Sequence, residues 1–243
     1  MRIHRIFVEN LVSHQENISL DKDTSRYLIQ VLRCKSGQEV QLFNGMGLQC
    51  NGQLQIYNRK EATVCLTSCI LLDRESPLDI HLVLGISKGE RMDTAIQKAV
   101  ELGVKHLLPL QTEYSVVNLN AERAEKRLQH WQGIITSACE QCGRNTLPVL
   151  HSVQTLNDWL AQDRPAMSWM FSPQSRQTLS SQARPEHGVS VLIGPEGGFS
   201  ENETRLASAN GVTAINFGPR ILRTETAAIA SICAIQTLWG DLG

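Results

Sequence analysis

From residue 79 onward, short apolar runs alternate with stretches that have helical periodicity. The strand DIHLVLGIS precedes the helix MDTAIQKAVELGV, and the strand KHLLPLQTE precedes a long helix over residues 121–142. The alternation continues through the strands AMSWMFSP, VSVLIG and TAINFG to a last helix, TETAAIASICAIQTLW. Strands that alternate with helices predict a parallel or mostly parallel sheet covered on both faces. This pattern sets the fold class as α/β.

The first 72 residues have a different texture, made of short β-rich segments. EVQLFNGMGLQCNGQLQIY and ATVCLTSCILL read as strands, and Asn44-Gly45 and Asn51-Gly52 have the composition of hairpin turns. We expect a small β-barrel or meander, with TSRYLIQVLR as a helix beside it. DRESPLD, residues 73–79, is charged, contains a proline and is predicted to be a linker. The sequence thus predicts two domains, residues 1–72 and residues 73–243.

Charge and hydropathy argue against a generally basic nucleic-acid-binding protein and against a membrane-spanning one. With a net charge of −1 and a pI of about 6.7, the chain would contact nucleic acid through local basic patches. One weak patch lies in the first 35 residues, where Arg2, Arg5, Lys22, Arg26, Arg33 and Lys35 outnumber Glu9, Glu16, Asp21 and Asp23. The apolar runs are shorter than the roughly 18–20 residues that a membrane span requires, so we expect a cytoplasmic protein.

The seven cysteines raise the question of a metal or redox site. An odd number in a chain of this length indicates reduced thiols. Cys139 and Cys142 form a C-x-x-C pair, and Cys65 and Cys69 are four residues apart, so these four thiolates could in principle bind zinc. However, Cys139 and Cys142 lie in a run with helical periodicity, WQGIITSACEQCGR, in which cysteine is typical of a core. We therefore predict no metal site; the seven histidines are scattered, and His106 is interpreted as structural.

The densest group of glycine and proline follows a predicted buried strand, in VSVLIGPEGGFSENE, residues 189–203. At the carboxyl end of a strand in an α/β sheet, such a loop leads into a helix N-terminus with free backbone N–H groups. Ser200 and Glu203 have the spacing of a capping box for that helix. Glycines here allow the main chain to approach a ligand closely, so the loop predicts a binding site.

A second loop of the same kind is NFGPRILRTETAA, residues 216–228. Neither loop has the pattern of a P-loop, of a G-x-G-x-x-G dinucleotide site or of a G-x-S-x-G nucleophile elbow. Two Gly-Pro loops at the ends of neighbouring strands predict one pocket lined by main-chain atoms. Arg223 and Glu225 belong to the second loop and the helix start after it, so they are candidates for chemistry in this pocket.

These loops, together with KGERMDTAIQKAVELGV and SACEQCGR upstream, resemble the RsmE family, the bacterial 16S ribosomal RNA (uracil-N3)-methyltransferases of the SPOUT superfamily. RIFV and YLIQVLRCKSGQEVQLFNG resemble the family's N-terminal domain, so the resemblance runs nearly from end to end. It implies a PUA-like β-barrel that helps to hold RNA, followed by an α/β domain with a C-terminal trefoil knot. It also implies a homodimer, S-adenosylmethionine as cofactor, and 16S rRNA or the small ribosomal subunit as substrate.

The resemblance transfers site residues onto the segments that match the family's motifs. Cofactor contacts are expected from MFSPQ and from the two Gly-Pro loops, at Phe171, Ser172, Gly194, Glu196, Gly197, Gly198, Phe217, Gly218, Ile221 and Leu222. Arg223 is predicted to stabilise negative charge on the target uracil. Glu225 is predicted to accept the N3 proton, although an acidic residue in the first turn of a helix also stabilises that helix.

Basic residues in both predicted domains are candidates for RNA contacts, with a solvated surface as the alternative: Arg2, Arg5, Arg26, Arg33, Arg91, Lys98 and Arg144. Arg144 belongs to a match with the family's E-Q-x-x-R pattern. Aromatic residues make up only 5% of the chain, so we expect recognition of RNA shape and backbone, with the target base turned out of its helix. Two other functions stay open, a methyltransferase of another RNA or a small molecule and a non-catalytic RNA-binding protein.

Overall fold

The computed structural model describes residues 3–115 and 120–243. The chain divides into two compact units. The first comprises Met1–Glu75 and Cys139–Leu147, and the second comprises Ser76–Ala138 and Pro148–Gly243. The predicted domain boundary between residues 72 and 73 stays a prediction. That prediction did not include the grouping of Cys139–Leu147 with the N-terminal segment. Within the described ranges, no helix is long and apolar enough to cross a membrane.

The first unit contains a five-stranded sheet. Its strands are β1 (His4–Phe7), β2 (Asn17–Ser19), β3 (Glu39–Phe43), β4 (Leu48–Asn58) and β5 (Glu61–Leu71). They lie in the order β1-β3-β4-β5-β2, with β1 parallel to β3 and the other neighbours antiparallel. Alternate strand residues such as Val40, Leu42 and Leu54 are fully buried in one core, to which Leu28 of the helical segment belongs.

The predicted helix TSRYLIQVLR is confirmed, although it begins at Lys22. Helix α1 spans Lys22–Arg26 and continues as a π-helical turn over Tyr27–Val31. The Asp21 carboxylate caps α1 by accepting hydrogen bonds from the backbone N–H groups of Asp23 at 2.9 Å and Thr24 at 2.8 Å. This cap satisfies donors that have no partner inside the helix, which explains the earlier start.

The predicted turn at Asn44-Gly45 is confirmed. These residues connect β3 to β4, and the Asn44 side chain accepts hydrogen bonds from the backbone N–H groups of Met46 at 2.8 Å and Leu48 at 3.1 Å. Because the asparagine satisfies backbone donors within its own turn, the turn is a local feature that its composition predicts.

The predicted turn at Asn51-Gly52 is wrong. These residues lie inside β4, at a bulge where the pairing with β5 shifts register. A Cβ on Gly52 would stand 2.5 Å from Cγ1 of Val64, so glycine is required there by the close approach of β5. The hairpin between β4 and β5 turns instead at Arg59 and Lys60.

The cysteines of the first unit correct the expectation of seven reduced thiols. Cys50 on β4 and Cys69 on β5 are register partners and form a disulfide, with their Cα atoms 4.1 Å apart. Cys69 is therefore not available to a four-thiolate zinc site. Cys139 is a buried free thiol, and its hydrogen bond with Cys142, followed by desolvation, raises its pKa. The thiolate that a metal requires is disfavoured at this position.

The second unit contains a seven-stranded sheet. Its strands are β6 (Asp79–Gly85), β7 (His106–Gln111), β8 (Val149–Leu150), β9 (Gln154–Thr155), β10 (Met167–Phe171), β11 (Gly188–Ile193) and β12 (Thr213–Ile215). They lie in the order β12-β10-β11-β6-β7-β8, and β9 also pairs with β7. The pairs between these strands are parallel, which confirms the predicted parallel sheet.

Helices cover both faces of this sheet, as predicted. The helices that follow β6 in the chain are α2 (Glu90–Glu101), α3 (Ala121–Cys142), α4 (Leu156–Leu160), α5 (Glu201–Ala209) and α6 (Thr224–Trp239). On one face, Val83 and Leu192 share a buried cluster with Trp159 of α4. On the other face, Trp169 of β10 contacts Trp239 of α6, with ring centroids 5.6 Å apart.

The boundary between the two units, after Glu75, lies within the predicted linker, residues 73–79, but part of this segment is buried. Ser76 and Leu78 are buried, and Asp79 already belongs to β6. The Ser76 hydroxyl donates a 2.7 Å hydrogen bond to the side-chain oxygen of Gln236, which is itself fully buried on α6. The composition of this segment therefore does not indicate its buried polar contact, because the partner, Gln236, lies on α6, far away in sequence.

Candidate active site

A pocket of about 510 Å³ lies at the carboxyl ends of β10 and β11. Its walls come from three segments at the ends of neighbouring parallel strands: residues 171–174 at the end of β10, residues 194–199 after β11, and residues 217–224 after β12. Because parallel strands end at the same edge of the sheet, these loops meet there. The volume is within the range of about 300–1,000 Å³ that is usual for small-molecule sites.

All ten residues predicted to contact the cofactor line this pocket: Phe171, Ser172, Gly194, Glu196, Gly197, Gly198, Phe217, Gly218, Ile221 and Leu222. Arg91 and Arg223 line it as well. The structure thus brings together the two Gly-Pro loops and the MFSPQ segment. The contacts of these residues with a cofactor stay a prediction.

The loop after β11 is anchored at its far end by a capping box, as predicted. The Ser200 hydroxyl accepts a 3.1 Å hydrogen bond from the Glu203 N–H, and the Glu203 carboxylate accepts a 2.8 Å hydrogen bond from the Ser200 N–H. The other oxygen of Glu203 accepts a 3.0 Å hydrogen bond from the Glu113 N–H. Glu203 is buried, so the loop is fixed by a well-satisfied carboxylate at the start of α5.

The rim of the pocket carries an ion pair between α2 and the loop after β11. Arg91 Nη1 donates to Glu196 Oε1 at 2.8 Å, and the Lys88 N–H donates to the same oxygen at 3.2 Å. Desolvation raises the pKa of Glu196, but backbone hydrogen bonds and Arg91 outweigh it, so the net pKa is lowered. Glu196 is therefore a firmly ionised acceptor that ties the glycine-rich loop to the start of α2.

The inner wall is largely apolar. Phe171 and Phe217 meet edge to face, with ring centroids 5.4 Å apart, and Ile193 and Leu222 add aliphatic surface. The glycine-rich loop after β11 lines the pocket as well. Such a pocket suits a ligand with both an apolar ring and groups that hydrogen-bond to main chain.

The two predicted catalytic residues differ in their placement. Arg223 is the N-cap residue of α6, makes no side-chain capping bond and is exposed where it lines the pocket. Glu225 lies in the first turn of α6 and is not one of the residues that line the pocket. One of its carboxylate oxygens, Oε2, is buried without a hydrogen-bond partner among the described residues.

Two of the arginines predicted to bind RNA are engaged within the first unit. Arg5 Nη2 donates to the Arg144 carbonyl and to Asn145 Oδ1, both at 2.9 Å. Arg144 is 5% exposed and forms a two-point ion pair with Glu75, with its Nε 3.0 Å from Oε1 of that carboxylate. Their guanidinium groups have structural partners, and RNA contacts by these two residues stay a prediction.

The other predicted RNA-binding residues have varied surroundings. Arg26 and Arg33 are exposed, and Arg33 has a φ of 55°, which is uncommon outside glycine. Lys98 pairs with Glu101 on α2 at 2.8 Å, and Arg91 is the pocket-rim residue described above. Arg2 lies outside the described residues.

Sequence reasoning did not assign part of the pocket wall: Met170, Pro173, Gln174, Ile193, Pro195, Phe199, Thr204, Arg220, Thr224 and Ala227. Arg220 follows the second Gly-Pro pair and adds a third arginine to the pocket. Thr204 and Thr224 come from the first turns of α5 and α6. These two threonines could have been predicted from the sequence, because each lies at a helix start that follows a predicted binding loop.

A family profile described as an RNA methyltransferase domain matches residues 74–236, and one described as an RNA methyltransferase PUA domain matches residues 20–64. The chain is 36% identical to the ribosomal RNA small subunit methyltransferase E of Buchnera aphidicola subsp. Schizaphis graminum (strain Sg), across 99% of this chain and 98% of the relative. The chain belongs to the RsmE family. The RsmE protein of Bacillus subtilis (strain 168) is 28% identical across 96% of both chains.

Two solved structures are similar to this chain over its whole length. A methyltransferase from Legionella pneumophila, solved with bound SAM, has a TM-score of 0.96 and 36% identity over 100% of both chains. A ribosomal RNA small subunit methyltransferase E from Neisseria gonorrhoeae, bound to S-adenosyl methionine, has a TM-score of 0.92 and 35% identity, again over 100% of both chains. The α/β fold with a PUA domain and a methyltransferase domain is therefore shown for this RsmE member.

The pocket of this RsmE member fits S-adenosylmethionine by its own chemistry. The edge-to-face phenylalanines and Leu222 provide apolar surface for an adenine ring. Gly194, Gly197 and Gly198 expose main chain where polar groups of a nucleoside or an amino acid can hydrogen-bond. The volume of about 510 Å³ is within the usual range for small-molecule sites.

Proposed function

We propose that this chain is a S-adenosylmethionine-dependent methyltransferase that methylates N3 of a specific uridine in 16S small-subunit ribosomal RNA. The observation that carries the proposal is the convergence of all ten predicted cofactor residues on one pocket. The fold match to SAM-bound structures supports the cofactor, and the names of the relatives support small-subunit rRNA as the substrate. The uridine and its N3 position rest on the family resemblance.

The cofactor would be held mainly by main chain of the two Gly-Pro loops. Glu196, clamped by Arg91, keeps the first of these loops against α2, and the capping box fixes its other end. When bound, S-adenosylmethionine supplies a methyl group on a sulfonium centre that is already activated for transfer. The main task of the protein is therefore to position the reacting atoms and to handle the N3 proton.

Arg223 is the residue best placed to act on the uracil. Loss of the N3 proton leaves negative charge spread over N3 and the two carbonyl oxygens of the base. An exposed guanidinium on the pocket wall stabilises that charge, and the N-terminus of α6 next to it adds its positive dipole. Arg220 lines the same pocket and adds positive charge to its wall.

The proton acceptor is proposed to be Glu225, or water that Glu225 orients. Its buried Oε2 has no hydrogen-bond partner among the described residues, so this oxygen is available to accept a proton. Because Glu225 does not line the pocket, transfer through a water molecule is the arrangement that its position favours. The alternative role, stabilisation of the first turn of α6, is separated from this one by the mutational test in the Discussion.

Further properties follow from the same family resemblance. We propose that the C-terminal part of the chain forms a trefoil knot, which is supported by a sheet order that places β12 beyond β10 although β11 lies between them in sequence. A homodimer is supported by exposed apolar residues on α6, such as Leu238 at 52% exposure. A closed PUA-like barrel in the first unit and a cytoplasmic location complete the proposal.

The proposal is tested by calorimetric titration with S-adenosylmethionine, followed by incubation of labelled cofactor with small ribosomal subunits that lack uracil-N3 methylation. We expect binding in the titration and label on one uridine of 16S rRNA, with the methyl group at N3 by nucleoside analysis. Arg205→Ala is a suitable control, since Arg205 is an arginine of α5 that does not line the pocket.

Each other outcome favours a different function. Binding without transfer to any subunit rRNA, together with transfer to a small molecule or another RNA, would replace the proposed substrate. Absence of cofactor binding, both alone and with RNA present, would favour the non-catalytic RNA-binding protein. Label at a position other than uracil N3 would keep the enzyme class and reject the proposed target atom.

A further inference from the structure

A second cluster of reactive side chains lies at the amino ends of the central strands, at the opposite end from the pocket. Asp79 and His81 are two residues apart on β6, so their side chains are on the same face of the sheet. His106 on β7 is the register partner of His81. The topology therefore brings one carboxylate and two imidazoles together from segments that are 25 residues apart.

The candidate ligand atoms of this cluster lie close together. His81 Nε2 lies 3.4 Å from Asp79 Oδ2, and His106 Nε2 lies 3.9 Å from Asp79 Oδ1. The ligand atoms of the three residues all lie within 4.8 Å of one another. Zinc–ligand bonds of about 2.0–2.2 Å place neighbouring ligands of a tetrahedral ion roughly 3.3–3.5 Å apart. The first distance matches that spacing, and the second, to the other oxygen of Asp79, is longer.

One atom of the cluster needs a partner that the described protein residues do not provide. Asp79 Oδ1 is buried and accepts no hydrogen bond within the described ranges. An ionised oxygen that has lost water and gained no donor is costly to bury, and a bound cation is one of the ways to offset that cost. Nε2 of His106 is 3.9 Å from this oxygen, which is beyond hydrogen-bond distance.

A fourth residue orients His106 from behind. His106 Nδ1 and His151 Nε2 are 3.0 Å apart, so one of them donates a hydrogen bond to the other. If His106 donates through Nδ1, its neutral ring presents a bare Nε2 lone pair towards Asp79. Metal-binding histidines usually have such a partner on their second nitrogen, because it fixes the tautomer and the ring orientation.

From this arrangement we propose that Asp79, His81 and His106 form a binding site for one divalent transition metal ion, with Zn²⁺ as the best match. Two imidazoles and one carboxylate are the ligand types that this ion prefers, and water completes the tetrahedron because Asp79 is 37% exposed. The site lies away from the cofactor pocket, so the ion ties β6 to β7 and takes no part in methyl transfer.

The test uses the full chain without an affinity tag, stripped with a chelator and then titrated with ZnCl₂ in competition with a chromogenic zinc chelator. We expect one ion per chain, and a rise in Tm with Zn²⁺ that the variants do not show. His81→Ala, His106→Ala and the near-isosteric Asp79→Asn are each expected to abolish this binding. His151→Phe should keep one ion per chain but weaken binding by about 10- to 100-fold.

His130→Ala is the matched control. His130 Nε2 pairs with Asp93 Oδ2 at 2.9 Å, so it is also a histidine–aspartate pair, but it lacks the second imidazole. Its loss should leave zinc binding unchanged. Circular dichroism and S-adenosylmethionine affinity check that each variant is folded, and Asp79→Asn covers the case in which a histidine variant is not.

Cobalt distinguishes the proposed ligands from the free cysteines. Co²⁺ bound by nitrogen and oxygen ligands gives visible d–d bands without a thiolate charge-transfer band. Failure of the wild-type chain to bind Zn²⁺ would overturn the proposal. So would binding that survives both histidine variants, or a cobalt spectrum with thiolate character, since either result would assign the ion to other residues such as Cys139 and Cys142.

Discussion

Gly197 packs against Tyr114 so closely that a Cβ atom built on the glycine would stand 2.8 Å from the Cβ of the tyrosine. Contacts under 3.0 Å are essentially never seen for real Cβ atoms. The atom in the way is the root of the tyrosine side chain, so rotation of the ring does not relieve the clash. Gly197 is therefore required by packing within the protein as well as by the proposed main-chain contacts with a ligand.

Gly197→Val is expected to weaken S-adenosylmethionine binding while the rest of the chain stays folded, because Gly197 is exposed and belongs to a loop. Overpacking costs about 1–3 kcal/mol, which corresponds to a roughly 5- to 150-fold loss of affinity. Calorimetry measures the affinity and a thermal melt checks the fold. Gly133→Val on α3, where an added Cβ meets nothing within 4 Å, is the matched control. Unchanged affinity in Gly197→Val would remove this loop from the cofactor site.

Arg223→Ala is expected to lower the turnover number by about 10²- to 10³-fold, the usual effect of removing one group that stabilises developing charge. Cofactor affinity should change little, because Arg223 is proposed to act on the uracil. Single-turnover methylation of small subunits and calorimetry measure the two quantities separately. An equal loss for Arg205→Ala would show that the effect is one of general charge.

Glu225→Gln separates a role in proton transfer from a role in helix stability. A proton acceptor replaced by an amide should lower the turnover number and remove a step from its dependence on pH, with little change in Tm. A residue that only stabilises the first turn of α6 should lower Tm and leave turnover intact. Turnover at increasing pH, together with a thermal melt, distinguishes the two. Wild-type turnover at each pH would exclude Glu225 from the mechanism.

Arg144→Ala is expected to destabilise the first unit by about 3–5 kcal/mol, because it leaves the carboxylate of Glu75 buried without its partner. Arg26→Glu with Arg33→Glu, at two exposed positions, should instead weaken RNA binding and lower its salt dependence without changing stability. Urea unfolding and binding titrations at several salt concentrations measure the two effects. Equal stability of Arg144→Ala and the wild type would contradict the structural role.

Glu140→Gln is expected to stabilise the first unit at neutral pH. Desolvation raises the pKa of Glu140 above its usual 4.5, against the hydrogen bond from the Phe7 N–H and the charge of Arg5. A carboxyl group with a raised folded-state pKa favours the native state fully below pH 4.5 and loses that contribution as pH rises through the folded-state pKa. The glutamine can still accept from the Phe7 N–H, which is 3.1 Å from Oε1, without the half-buried charge.

The advantage of Glu140→Gln should therefore grow between acidic and neutral pH, as measured by urea unfolding across that range. Glu39→Gln, at an exposed position on β3, is the control in the same unit. A constant difference at all pH values would show that the buried charge of Glu140 does not limit stability.

Local features of this protein follow from the sequence alone. The Ser200–Glu203 capping box, the Asn44-Gly45 turn and the span of α6 depend on residues that are near each other in the chain. Their hydrogen bonds form within one turn, so composition and spacing specify them. The parallel sheet was also predictable, because alternating strands and helices leave few other ways to bury their apolar faces.

The residues of the pocket were predicted from motif resemblance, and only the fold brought them to one edge of the sheet. The other decisive contacts join distant segments: Gly52 with Val64, Glu75 with Arg144, Cys50 with Cys69, and Asp79 with His106. None of them has a spacing or periodicity that marks it, since strand register and chain topology decide which distant side chains meet. The sequence determined which elements form, and the tertiary structure decided whether a buried arginine, a glycine or a histidine serves packing or chemistry.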